Sequence, residues 1–295
     1  MIYLKGGEIR MGLAIGEISY TNILPFFYYV DRFFLGQNGC TFIPKVPSEL
    51  NDGMEKGVID VGGISSFSYG ENYEEYMLLP NFSVSSPREV GSIFLFSKLP
   101  ITELHNKTIA LTSSSATSVN LLKIILQKFY SLEVSYVTME PDYDSMLKEY
   151  DACLLIGDDA ITASWNKRED IHKYDLGTIW EHFTGYPMTY AVFAVRKSAC
   201  EKHPILLDYL YKQFLYSKTT SIHNHFEEII YSIQKQLGGK KSFWKNYYHG
   251  LNYDLTERHV AGLYHYFNLA YEMNLLENKV ANISFWSPTK HSHSV

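Results

Sequence analysis

The residues whose types and spacing suit chemistry lie first in one short stretch, Gly16 to Pro25, which reads G-E-I-S-Y-T-N-I-L-P. A short apolar run (Met11, Leu13, Ala14, Ile15) precedes it, and an aromatic run from Phe26 to Tyr29 follows. A strand that stops at Gly16 and passes into Ser19, Tyr20, Thr21 and Asn22 before Pro25 predicts a strand-to-helix loop. Hydroxyls, one amide side chain and a helix start then collect at the carboxyl end of a strand, the crevice where open α/β sheets take ligands. The free N–H groups of a helix start favour an anion there. The same residue types also suit an ordinary turn closed by an Asx or Ser cap, and the stretch alone leaves both readings open.

Two further loops have the same character. Gly63-Ile64-Ser65-Ser66-Phe67 ends an expected strand at Ile59–Gly63, and its small residues and hydroxyls match those of the first loop. Thr112 to Ser118 (T-S-S-S-A-T-S) sits between an expected strand, Lys107–Leu111, and an apolar-striped helix, Val119–Phe129. Its hydroxyls and the N–H groups of that helix could cradle a carboxylate or a phosphate, or could serve only as a flexible or capping segment. A fourth buried strand, from Asp151, ends at Gly157-Asp158-Asp159. One of these acids is expected to cap the next helix, and the other to reach toward the cleft.

These loops need a scaffold that brings strand ends together. The order strand, helix, strand, helix, strand over the first 63 residues implies a parallel sheet with right-handed crossovers. Expected elements there are a helix over Phe27–Phe34, a strand over Cys40–Val46 and a helix from Ser48. Two strongly apolar runs, Gly91–Phe96 and Tyr190–Val195, bracket a self-contained βαβ-type unit. The expected organisation is therefore a first domain of 1–96 plus 191–295, with 97–190 inserted as a second domain. Two lobes joined by two crossing strands form a hinged cleft, a usual place for a small-molecule site. From Pro204 onward the pattern is helical, with Thr256 as the N-cap of a last long helix.

Composition narrows the function classes. With 295 residues the chain suits about two domains, at roughly 150 residues each. A net charge of −6 argues against a nucleic-acid partner, which needs a basic surface. No run approaches the roughly 18 to 20 apolar residues of a membrane helix. Cys40, Cys153 and Cys200 are odd in number and far apart, which fits thiols in a reducing cytoplasm. His223-Asn224-His225 and His291-Ser292-His293 lack the spacing and carboxylate partner of a zinc site, so no metal is expected. Met1–Arg10 has no signal-peptide core, and Met11 is the expected native start, with Lys5-Gly6-Gly7 a translated ribosome-binding sequence. Nucleotide-binding, hydrolase and zinc-protease motifs are absent from the sequence.

Taken in order, several strings resemble those of a known family. They are G-E-I-S-Y-T-N-I-L-P (16–25), D-V-G-G-I-S-S (60–66), S-I-F-L-F-S (92–97), A-L-T-S-S-S-A-T-S-V (110–119), L-L-I-G-D-D-A (154–160), Y-D-L-G (174–177), T-G-Y-P (184–187) and Y-D-L-T-E-R-H-V-A-G-L (253–263). The set resembles the menaquinone-biosynthesis proteins of the futalosine route, and the opening I-S-Y-x-N is similar to the chorismate dehydratase branch. The chain departs from the family at Thr21, usually Leu, and at Tyr186, where a smaller apolar residue is common. The resemblance implies an α/β, two-lobed fold of the type II periplasmic-binding-protein kind with a helical C-terminal part. It also implies a cofactor-free dehydration of chorismate, a small-molecule partner. Asn22 and Ser19 are then the expected catalytic pair, Asn22 because the family places its most important residue there. Tyr20, Ser65, Ser66, Ser86, Thr112, Ser115, Thr117, Ser118 and Asp158 form the expected substrate-binding set. No protein base is obvious, and the proton acceptor is expected to be a carboxylate of the substrate, with Asp158 or His182 as alternatives. A 1,4-dihydroxy-6-naphthoate synthase, a non-catalytic carboxylate-binding protein and a cytoplasmic ligand sensor stay open. So does the oligomeric state, a homodimer included.

Overall fold

The computed structural model describes residues 12–166 and 168–288, and its strands form two five-stranded sheets, one per lobe. The readings made for Met1–Arg10, the start at Met11, and His291 and His293 lie outside the described residues. The first lobe runs β1 (Ala14–Ile18), a 3-10 turn (Thr21–Ile23), α1 (Leu24–Phe27), α2 (Arg32–Gln37), β2 (Thr41–Lys45), α3 (Pro47–Glu55), β3 (Val61–Ser65), α4 (Ser66–Glu71) and β4 (Tyr76–Ser86). The second holds β5 (Ile93–Ser97), β6 (Thr108–Thr112), α5 (Ala116–Ile124) prolonged by a π-helical turn (Ile125–Phe129), β7 (Ser135–Met139), α6 (Tyr143–Glu149), β8 (Ala152–Ile156), α7 (Gly157–Ser164), β9 (His172–Asp175) and α8 (Leu176–Thr184). The chain then returns through β10 (Met188–Arg196) to α9 (Lys197–Lys202), α10 (Pro204–His223), α11 (Glu227–Leu237), α12 (Lys241–Gly250) and α13 (Glu257–Glu272).

The two sheets repeat one plan. Their orders are β2-β1-β3-β10-β4 and β7-β6-β8-β5-β9. In each, three parallel strands meet one antiparallel strand that comes from the crossing between lobes. β5 therefore belongs to the second sheet, paired with β8 and β9. The first crossing falls before it, between β4 and β5, and not at residue 96. Apolarity on both faces marked β5 as central, but could not say in which sheet. β2 tolerates Pro44 because it is an edge strand.

Local chemistry explains most boundaries. The aromatic run does not make one helix from Phe27 to Phe34. α1 stops at Phe27, and Asp31 starts α2 by accepting a hydrogen bond from the Phe34 N–H at 2.9 Å. Phe26 and Phe27 are wholly buried, and the Phe26 ring lies 4.5 Å from that of Phe193 in β10. That packing fixes the loop after β1 onto the core. α13 begins at Thr256, whose hydroxyl and N–H both meet His259 Nδ1. Its buried face, including Leu263, Tyr266 and Phe267, packs against β10, α4 and α5.

β1 and β3 approach closely because Gly16 pairs with Gly62. A Cβ on Gly62 would stand 2.3 Å from the Gly16 carbonyl oxygen, which is backbone and cannot yield. Gly62→Ala should therefore spread the central pair of the first sheet and lower stability by about 3 kcal/mol. Chemical denaturation would measure this, and a loss below about 0.5 kcal/mol would show that the strands can separate without penalty.

Candidate active site

The carboxyl ends of β1 and β3 in one lobe face those of β6 and β8 in the other, and a narrow cleft with a cavity of about 40 Å³ lies between them. Its walls are apolar where the strands supply them (Ile18, Val84, Ile93, Ile156) and polar where helices begin. Among the described residues lining it, none is Asp, Glu, His, Lys or Arg. Neutral donors must do any anion binding here.

Two N-cap serines, one from each lobe, are aimed at this space. Ser65 begins α4, and its Oγ accepts from the Ser68 N–H and the Asn51 amide, each at 3.1 Å. Ser115 begins α5, and its Oγ accepts from the Ser118 N–H at 3.2 Å. Both oxygens act as acceptors in these caps, so their own protons remain to be donated to a ligand. Ser118 lines the cleft one turn further along α5. Each helix start adds the positive end of its dipole, although at α4 the Phe67 and Ser68 N–H groups are already taken by Thr117 Oγ1 and Ser65 Oγ.

Asn22 lines the same cleft as these two caps, from the 3-10 turn after β1. Its Oδ1 is buried and makes no hydrogen bond within the protein. A buried amide oxygen left unpaired costs on the order of 1–3 kcal/mol, so it marks a place where a ligand group belongs. Tyr20 also lines the cleft, and its hydroxyl lies 3.1 Å from Ser114 Oγ and 3.3 Å from Asp159 Oδ2. Burial, reinforced by the charges of Asp159 and Asp158, holds this phenol well above its usual range.

The structure brings together Tyr20, Asn22, Ser65, Ser115 and Ser118 from the expected set, and turns the rest to other partners. Ser19 is exposed, with its N–H on the Lys45 carbonyl at 2.9 Å. Ser66 is buried and donates to the Thr189 carbonyl at 2.8 Å. Ser86 is engaged with the Tyr190 hydroxyl and the Arg88 carbonyl. The Thr112 hydroxyl pairs with Ser114 at 2.6 Å and shapes the loop before α5. Thr117 Oγ1 accepts from the Phe67 N–H at 3.0 Å, joining α5 to α4 across the lobes. His182 is exposed on α8, packed edge-on against Phe183.

Asp158 does not cap α7, nor does it line the cleft. Its carboxylate accepts from the Thr21 N–H (3.2 Å to each oxygen) and from the Thr21 hydroxyl (2.7 Å) in the opposite lobe. Burial pushes its carboxyl up to about 6; the bonds from Thr21 oppose that shift and the Asp159 charge adds to it. Sequence reasoning also missed Tyr190, which lines the cleft beside Ala191. Adjacent strand residues normally face opposite ways. A register shift in the β10–β4 pairing at Thr189–Ala191 lets both reach the same space, and no sequence signal short of that pairing reveals it. Ser92 and Gly157 join the lining from the second lobe.

Comparison with solved structures agrees with this architecture. The fold matches a crystal structure of an Archaeoglobus fulgidus protein (TM-score 0.70, 19% identity, 91% of this chain and 100% of that one). It also matches the periplasmic aliphatic sulphonate binding protein of Escherichia coli (TM-score 0.67, 14% identity, 95% and 93%). A Candida albicans protein described as having the generic periplasmic binding protein fold aligns with a TM-score of 0.64 at 10% identity, over 95% and 99%. Two lobes, two crossings and a cleft at the strand ends thus define a periplasmic-binding-protein-like fold. Within that class, the family model described as menaquinone biosynthesis matches residues 13–272, and the chain belongs to this family. A chorismate dehydratase of Thermus thermophilus is 32% identical over 200 residues, which cover 62% of this chain and 70% of that protein.

Closure across the cleft depends on one glycine. Gly157 has a φ of +58°, and a Cβ there would lie 2.6 Å from the Tyr20 ring. Gly157→Ala should strain the turn, displace Tyr20 and hold the lobes apart, lowering stability by about 1–3 kcal/mol. Small-angle scattering should then give a larger radius of gyration than wild type. An unchanged radius would show that Tyr20 against Gly157 does not set closure.

Proposed function

We propose that this protein is a chorismate dehydratase, a carbon–oxygen lyase converting chorismate to 3-[(1-carboxyvinyl)oxy]benzoate for menaquinone biosynthesis. Family membership and the Thermus thermophilus relative support the reaction. The observation that carries it onto this site is the unpartnered Asn22 Oδ1, in a cleft that the N-cap serines of α4 and α5 also line. Chorismate is a dianion with a ring hydroxyl. One carboxylate sits on Ser65 and the start of α4, the other on Ser115, Ser118 and the start of α5, and Asn22 meets the ring hydroxyl.

The reaction asks little acid–base power of the protein. A C–O bond to the ring hydroxyl breaks, the neighbouring ring carbon gives up its proton, and water and an aromatic ring result. Aromatisation supplies the driving force, so it suffices that the Asn22 Oδ1 accepts from the ring hydroxyl and orients it, and that the Asn22 Nδ2–H donates to that oxygen as it departs. Asn22 cannot be a base at neutral pH. The proton passes to a carboxylate of the substrate itself and on to the departing hydroxide, which leaves as water. This is supported by a described lining with no Asp, Glu, His, Lys or Arg, in which burial holds the Tyr20 and Tyr190 phenols well above their usual range. The two lobes act as domains that close over the substrate between the crossings at β4–β5 and α8–β10.

Mixing the protein with chorismate and following ultraviolet absorbance and product mass tests the reaction directly. Loss of one water with a growing benzoate absorbance is the expected result. A raised melting temperature with unchanged chorismate would instead mean a binding protein, the reading that the base-free lining also permits. Asn22→Ala should fold with an unchanged melting temperature and lose at least about 100-fold in kcat. Turnover near wild type would remove Asn22 from the chemistry. Ser65→Ala and Ser115→Ala should chiefly raise KM, each by about 10-fold, since they hold carboxylates away from the bond that breaks.

A further inference from the structure

Resting on the dehydratase reading, we infer that Asp158 is a positioning residue for Asn22, acting from the second lobe through Thr21. The 3-10 turn that presents Asn22 has no cap of its own, since the Tyr20 side chain makes no bond to it. Its first N–H, that of Thr21, is satisfied by the Asp158 carboxylate across the cleft. The Thr21 hydroxyl donates to the same carboxylate at 2.7 Å. On the other side, the Thr21 carbonyl accepts from the Tyr248 hydroxyl of α12 at 2.7 Å. That carbonyl belongs to the peptide leading into Asn22. Thr21 is thus pinned at three atoms, its N, Oγ1 and carbonyl oxygen, and of the side chains that pin it Asp158 comes from the second lobe and Tyr248 from the first.

Closing the lobes therefore completes the support of Asn22. Gly157, lacking a Cβ, lets α7 start against the Tyr20 ring, and so sets Asp158 at hydrogen-bonding distance. The neighbouring Asp159 faces Tyr20, and at the far end of α7 Trp165 packs edge-on against Phe243 and Trp244 of α12. With the lobes apart, the turn loses its cap and Asn22 its fixed direction. The site is then assembled only around enclosed substrate. A displacement of about 1 Å at such a residue can cost on the order of 100-fold in rate.

Kinetics and exchange on Asp158→Asn, Thr21→Val, their combination, and Thr21→Ser test this. Each single variant of the first two should lower kcat by about 10- to 100-fold with KM within about threefold, and Thr21→Ser should recover most of the loss. The double variant should be no worse than the poorer single, because both remove one contact. Additive losses would overturn the inference. So would unchanged kcat with a lowered melting temperature, which marks a purely structural bond. A loss beyond about 1,000-fold in Asp158→Asn with Thr21→Val near wild type would place Asp158 on the reacting atoms instead. Hydrogen exchange of the 19–24 segment gives a readout that needs no turnover, and Asp158→Ala should speed it severalfold. Unchanged exchange would remove the latch. Faster exchange in a protein that leaves chorismate intact would keep the latch and remove the dehydratase reading.

Discussion

On the dehydratase reading an anion must be held by a lining that offers no cation among its described residues, and most of the architecture serves that constraint. Neutral hydroxyls and backbone N–H groups bind a carboxylate well only when several converge and water is largely excluded. A single helix start offers too few. Two lobes with the same strand order, placed with strand ends facing, bring the starts of α4 and α5 to one cleft. Ser65 and Ser115 each cap a helix and still have a proton to give, so one residue type performs two tasks at each end.

Enclosure then becomes the second requirement, and the contacts that join the lobes around the cleft meet it with hydrogen bonds, while an exposed ion pair between Lys128 and Glu272 joins them farther out. Thr117 reaches the Phe67 N–H, Tyr20 reaches Ser114 and Asp159, and Asp158 reaches Thr21. Such bonds form between groups that water can satisfy equally well when the lobes part, so each contributes only about 1 kcal/mol net. Closure held by a few of them is reversible, as turnover requires. The rigid parts lie elsewhere, in the Phe26, Phe82, Phe193 and Phe214 cluster under the first loop. There the aromatic-rich composition has its clearest use.

Much of this was legible in the chain. Glycine followed by hydroxyls at the end of an apolar run located the loops after β1, β3, β6 and β8, because those residue types match strand-end turns and helix caps. The apolar stripes of β5 and β10 marked the two strands that flank the crossings, but the first crossing lies before β5 and not after it. Boundaries were less legible. The aromatic run from Phe27 breaks at Asp31, since a capping side chain outweighs continued apolarity. β5 moved into the second sheet, since burial on both faces carries no label of which sheet does the burying.

The sequence by itself determined which loops line the cleft, the α/β class and the family, because these depend on local residue types and on an ordered set of short strings. Only the tertiary structure decided what each hydroxyl and acid does. Ser65 faces the cleft while the adjacent Ser66 bonds to Thr189, and Asp158 turns from the cleft to the Thr21 of the opposite lobe. Ser65 caps α4 while Ser66 is already inside that helix, and Asp158 meets a residue 137 positions away. Spacing along the chain encodes a helix cap, but a hydrogen bond between lobes exists only once two separate sheets have been brought face to face.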